Sequence, residues 1–170
     1  MTTAARPTPV VERDGIWRLL GSVMDPEIPV LSLVDLGVVR DVTVTDQEVE
    51  VVITPTYSGC PAMRVMEKSI LTALRGSGFE CVQVKRVLSP PWTTDWITAD
   101  GRRKLLEYGI APPAWASDSK RALWDEEPGL RCPRCESEHT RCVSDFGSTP
   151  CKALYRCEDC LEPFEYFKCL

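Results

Sequence analysis

Apolar residues near the start of the chain recur at helical spacing: Val10, Ile16, Trp17, Leu20 and Val23 share one face of a helix predicted over residues 8–24. Thr8 suits its N-cap and Pro9 its first helical position. Two prolines then forbid regular pairing across Asp25-Pro26-Glu27-Ile28-Pro29, which is expected as a loop. The pattern changes to Val-rich strands over residues 34–44 and 48–54, and in the second Val49, Val51 and Ile53 alternate with Glu48, Glu50 and Val52. The polar Thr45-Asp46-Gln47 between them fits a hairpin. After a turn at Tyr57-Ser58-Gly59-Cys60-Pro61, the residues Met63, Met66, Ile70 and Leu74 mark a second amphipathic helix, ended by Gly76 and Gly78. A third strand over 81–88 stops before Pro90-Pro91, and a short charged helix follows over 100–108. This order predicts an α+β fold, a two-layer domain with a small mixed sheet over residues 8–110. Residues 111–130, with three prolines and the acidic run Asp125-Glu126-Glu127, are expected to form a linker or docking segment.

Composition changes this picture little. The chain has 170 residues, 44% apolar and 26% charged, which suits a folded domain plus a small module. A formal charge of −5 argues against non-specific nucleic-acid binding, which needs clustered cations to displace counterions. No apolar run nears the ~18 residues that would cross a bilayer. The first residues lack a hydrophobic stretch, so no secretory signal is expected and the cytoplasm is the default compartment.

The cysteines change it most. Nine are present, an odd number, and seven fall after residue 130. Clustered thiols without an export signal point to metal ligation rather than disulfides. Cys132-Pro133-Arg134-Cys135 and Cys157-Glu158-Asp159-Cys160 are two C-x2-C knuckles, the spacing of a tetrahedral four-thiolate zinc site. Residues 131–170 are therefore expected to be a C-terminal zinc-ribbon-like module, stabilised by its metal because so short a segment buries little apolar surface. Cys142, Cys151 and Cys169 lie in the same module. They are either small buried hydrophobes or ligands that would favour an iron–sulfur cluster. The module carries 6 Lys and Arg against 7 Asp and Glu, so a protein partner suits it better than nucleic acid.

Within the first domain, Cys60 stands between Gly59 and Pro61 at the start of the second helix, where unpaired amides and the macrodipole favour a thiolate. It is either a packed core thiol, a metal or cluster ligand, or an exchanging thiol. The chain's one histidine is His139, so a Cys–His nucleophile is not supported in this domain. Asp25 and Glu27, on the proline-rigid loop, either cap backbone amides, bind a metal or pair with a partner. Asp35, close to Gly37, reads as structural.

The segments Met24-Asp25-Pro26-Glu27-Ile28-Pro29, Leu33 to Val39, and Thr54-Pro55-Thr56-Tyr57-Ser58-Gly59-Cys60-Pro61 resemble the two motifs of the SufT-like iron–sulfur assembly domain. Phe146 to Cys157, with Glu162-Pro163-Phe164 and Phe167-Lys168-Cys169, resembles the PaaD-like family of phenylacetate degradation. Together the resemblances cover nearly the whole chain. They imply an accessory or maturation protein for the oxygenase that epoxidises the ring of phenylacetyl-CoA, rather than a catalyst. Cys60 would be the cluster- or metal-handling thiol with Asp25 and Glu27 beside it, and Cys132, Cys135, Cys157 and Cys160 would hold structural zinc. A transient iron–sulfur cluster is the implied cargo. The implied clients are the reductase component first and the diiron component second, and a homodimer through the first domain is also implied. The alternative is a stoichiometric structural subunit of that oxygenase.

Overall fold

The computed structural model describes residues 13–45, 48–113 and 130–168. Helix α1 (Arg13–Leu20) leads to strands β1 (Val39–Val44) and β2 (Val49–Ile53), helix α2 (Met63–Gly76) and strand β3 (Val82–Arg86). Helix α3 (Ala99–Tyr108) runs into the two-residue strand β4 (Ile110–Ala111), and the C-terminal module adds β5 (Thr140–Ser144), β6 (Lys152–Cys157) and β7 (Pro163–Phe167). The fold is α+β, with helices set against one small mixed sheet and a second mixed sheet built largely from the tail.

The first sheet has the order β1-β2-β3, with β1 and β2 antiparallel and β2 and β3 parallel. The parallel pairing follows from the α2 crossover, because two parallel neighbours cannot be joined by a tight turn. Alternation in β2 sends Val49, Val51 and Ile53 inward, where they meet Ile16 and Leu20 of α1 and Ile70 and Leu74 of α2. Met63, Met66, Ile70 and Leu74 are the buried face of α2, as their spacing predicts.

Several boundaries differ from those predicted. The proposed start of α1 at Thr8 and Pro9 lies outside the described residues. Its end comes at Leu20, where the amides of Ser22 and Val23 tighten to i−3 bonds on Leu19 and Leu20. The strand expected from residue 34 begins only at Val39. Asp35 prevents an earlier start: its Oδ2 accepts from the Ser32 amide (3.0 Å) and the Ser32 hydroxyl (2.8 Å), closing a turn that side-chain bonding favours over a ladder. Gly37 completes that turn with φ +70°, and a Cβ there would come within 2.4 Å of the Trp96 carbonyl oxygen. Lys104 of α3 then binds Asp35 Oδ2 at 2.8 Å, tying the turn to the third helix. α3 itself starts on the Thr98 side-chain cap and ends on Gly109 at φ +91°.

The second sheet has the order β4-β7-β6-β5, so β4, which directly follows α3, pairs in parallel with the last strand of the tail. Its own small core holds Leu130, Ala153, Tyr155, Phe164 and Tyr166. Two residues of the tail leave that core and join the first one: Phe167, 1% exposed, and Cys151, 5% exposed. Phe167 packs 6.0 Å from the Trp92 ring, whose indole N–H donates to the Leu36 carbonyl at 3.0 Å. The Pro90–Trp96 segment is thus part of the seam between the two modules. Of the linker, only residues 111–113 and 130 are described. No helix among the described residues is long and apolar enough to cross a membrane.

Candidate metal centre and thiol site

The two knuckles fold alike. Cys132 donates its amide to the Ser137 carbonyl and Cys157 its amide to that of Glu162, each five residues on. The residue after each second cysteine takes a left-handed conformation, Glu136 at φ 62° and Leu161 at φ 65°. Amides of Arg134 and Cys160 point at the sulfurs of Cys132 and Cys157, at 3.4 and 3.5 Å. These turns bring all four Sγ atoms within 4.8 Å of one another, with Cys132–Cys160 at 3.7 Å and Cys135–Cys157 at 3.5 Å. A tetrahedron with zinc–sulfur bonds of about 2.3 Å has edges of about 3.8 Å, so the thiolates are spaced for one small ion. Several irons and sulfides would hold them further apart.

The electrostatics agree. The Cys160 amide holds the Cys157 thiol down at about 6. Cys160 is pushed up to about 12 despite the Glu162 amide, because burial and the neighbouring sulfurs of Cys135, Cys157 and Cys132 oppose a further charge. Four thiols this close cannot all ionise without a cation among them, and a divalent ion supplies that charge.

Cys60, Asp25 and Glu27 form a different kind of place. The Asp25-to-Ile28 loop presents Asp25, 4% exposed, whose Oδ1 accepts from the amides of Glu27 (2.8 Å) and Ile28 (2.7 Å). Asp25 thus caps backbone amides through Oδ1, one of the roles open to it from sequence. Cys60, half-buried, closes the turn before α2 by donating its amide to the Tyr57 carbonyl at 3.1 Å. The helix-start effect is opposed by the surroundings of the thiol. Burial pushes the Cys60 thiol up, outweighing the Ala62 amide, and the charges of Glu27, Asp25 and Cys151 push the same way. Burial likewise raises Asp25 and Glu27. Among the described residues, only the ribbon quartet gathers three or more such ligand atoms within 4.8 Å. The Cys60 loop is thus not a closed cage of that kind.

The tail supplies groups to this site that spacing did not single out. Lys152 counters the charge of both Asp25 and Glu27, and Cys151 adds to the effects that raise Cys60 and Tyr57. Lys152, 3% exposed, forms a 2.7 Å ion pair with Glu165, and Glu165 also accepts from the Ser148 amide at 2.6 Å. Gly147 makes room for this pair, since a Cβ there would lie 2.7 Å from Glu165 Oε1. Thr149 Oγ1 stands 3.1 Å from Cys151 Sγ. The available signal was the Ser148-Thr149-Pro150-Cys151-Lys152 segment, whose cysteine reads from sequence first as a small buried hydrophobe, and the burial of Cys151 in the first module's core fits that. Cys142 is half-buried against the ribbon core, and Cys169 lies outside the described residues.

Comparison with known proteins agrees with this geometry. Residues 13–85 match a family described as "Iron-sulfur cluster assembly protein", and residues 116–168 match the "PaaD zinc beta ribbon domain". The chain is 53% identical to an Escherichia coli (strain K12) protein named as a subunit of 1,2-phenylacetyl-CoA epoxidase, over 91% of this chain and 92% of that one. It is 31% identical to the "Fe-S protein maturation auxiliary factor" of Porphyromonas gingivalis, over 57% of this chain and 90% of that one. A crystal structure of a domain of unknown function, DUF59, from Bacillus anthracis superposes with a TM-score of 0.51 at 25% identity, covering 55% of this chain and 90% of that one. The chain belongs to the PaaD family, an iron–sulfur assembly domain joined to a zinc β-ribbon.

Proposed function

We propose that this protein is an accessory factor of phenylacetyl-CoA ring epoxidation, assisting the insertion of an iron–sulfur cluster or metal into an oxygenase component. The observation that carries the reading is the Cys60 loop. It offers one half-buried thiol that feels the charges of Glu27 and Asp25 and is not locked into a closed metal cage, which suits cargo that passes through. The names of the two relatives support the pathway and the chemistry separately, one an epoxidase component and the other a maturation factor. Cluster transfer needs soft thiolate ligands and no imidazole base. The chain's one histidine, His139, sits exposed on the ribbon beside Asp159. The ribbon quartet would hold zinc as a structural ion that rigidifies the module contacting the client. On this reading the reductase is the first client and the diiron component the second.

The name of the E. coli relative, which makes it part of the epoxidase itself, favours a second reading, a fixed component of the oxygenase. Isolating the oxygenase from cells with and without this chain separates the two. An accessory factor is absent or substoichiometric in the complex, and a preloaded oxygenase turns over without it. Retention at fixed ratio, with turnover lost on its removal, would establish the second reading instead.

A further inference from the structure

We propose that Asp159 is a positioning residue of the four-cysteine centre: through Ser137 and His139 it ties the second knuckle to the first and so slows loss of the metal. The proposal rests on the reading of the quartet as a zinc site. Each knuckle spaces its own two sulfurs by its own turn. The close sulfur pairs Cys132–Cys160 and Cys135–Cys157 both run between the knuckles, so neither turn alone fixes them. Asp159 stands inside the second knuckle, next to Cys160, and its carboxylate reaches the residues that follow the first. Its Oδ2 accepts from the Ser137 hydroxyl at 2.5 Å, and its Oδ1 lies 3.3 Å from His139 Nδ1. Ser137 is itself bound into the first knuckle, where its carbonyl accepts from the Cys132 amide at 2.9 Å. Its hydroxyl also accepts from the His139 amide at 3.0 Å, and the Glu158 amide donates to the His139 carbonyl at 2.8 Å.

An ion leaves four thiolates one sulfur at a time, and a sulfur that has let go is recaptured while its knuckle stays in place. Hydrogen bonds outside the ligand set that hold it in position are worth about 10–100-fold in metal affinity. This brace is exposed, with the side chains of His139 and Asp159 76% and 54% accessible, so its effect belongs at the low end of that range. The brace works by geometry and against its own charge. A zinc–thiolate centre is net negative, so removing a nearby carboxylate would by charge alone tighten the metal. The two effects therefore have opposite signs. Asparagine can accept from the Ser137 hydroxyl and donate to a neutral His139 ring, which keeps the brace without the charge. The Arg131–Glu138 pair is an exposed contact that flanks the first knuckle without reaching the second.

The test is the rate at which the full, zinc-loaded chain gives up its metal to an excess of chromogenic chelator, with zinc per chain measured beforehand. Asp159→Ala should release zinc about tenfold faster than the wild type. Asp159→Asn should stay within about twofold of the wild type, a rescue that a role for the charge would not give. Ser137→Ala removes the same bond from the first knuckle and should also speed release. It carries the comparison if Asp159→Ala does not fold. The double variant should be no faster than Asp159→Ala, because both changes break one contact. Glu138→Ala should match the wild type. Wild-type or slower release from both Asp159→Ala and Ser137→Ala would overturn the brace and leave zinc in the quartet. So would release from Asp159→Asn or Glu138→Ala as fast as from Asp159→Ala, or a double variant showing the product of the single effects. No zinc in the wild type would overturn the zinc reading of the quartet and the brace with it.

Discussion

Phe167→Ala probes the joint between the two modules. Phe167 is carried by β7 of the ribbon, yet at 1% exposure it is buried in the core of the first module with its ring 6.0 Å from Trp92. Truncating so buried an aromatic removes its transfer free energy and leaves a cavity, about 4 kcal/mol together, of which the ring pair supplies about 1. With a urea dependence of about 2 kcal/mol per molar, the midpoint should fall by about 2 M. The assay is urea unfolding of zinc-loaded protein, followed by tryptophan fluorescence for the first module and zinc release for the ribbon. Both signals should shift together, because one buried side chain serves both modules. A fluorescence transition that stays put while only zinc release moves would show that the modules unfold independently, and the packing argument would fail.

Other substitutions test separate parts of the account. Cys157→Ser removes a fully buried ligand, and the variant should bind less than a tenth of the wild-type zinc, with β5 to β7 losing most amide-exchange protection and α2 losing part of its own because Phe167 no longer docks in its core. Asp25→Ala leaves the Glu27 and Ile28 amides without their acceptor and should cost about 1–2 kcal/mol. Asp25→Asn keeps an acceptor, and its effect has a defined pH sign. Burial raises this carboxyl above its ordinary range, so the folded state holds the proton longer than the unfolded one. Stability therefore falls as pH rises from the unfolded value of about 3.9 through the folded one, and Asp25→Asn should flatten that fall in a pH series of denaturation midpoints. Gly37→Ala places a Cβ against Trp96 in a left-handed turn and should destabilise by about 2–4 kcal/mol, read from the thermal midpoint.

The sequence carried its local features well. Helix α2 was legible because its four buried residues keep one period, and the quartet because each knuckle is a pair of ligands within one turn. The strand over-extended from residue 34 shows the limit of that kind of signal. Val34, Leu36 and Val38 have strand composition, but the Ser32–Asp35 side-chain bonds and the Trp96 backbone against Gly37 decide otherwise. The raised thiol at Cys60 has a related origin. Helix position favours the ionised form, whereas burial beneath the seam and the nearby carboxylates, which no local pattern reveals, oppose it. The burial of Cys151 in the first module's core was hidden most completely, because the residues of that core come from far away in the chain.

The claim that this protein serves a client through Cys60 is tested most directly in the client. The oxygenase reductase should be produced in cells lacking this chain and supplied with either wild-type protein or Cys60→Ala, and its iron and acid-labile sulfide measured per polypeptide. A full complement is expected with the wild type and a several-fold deficit with Cys60→Ala, at equal amounts of folded, zinc-loaded accessory protein. A full complement with the variant would contradict it.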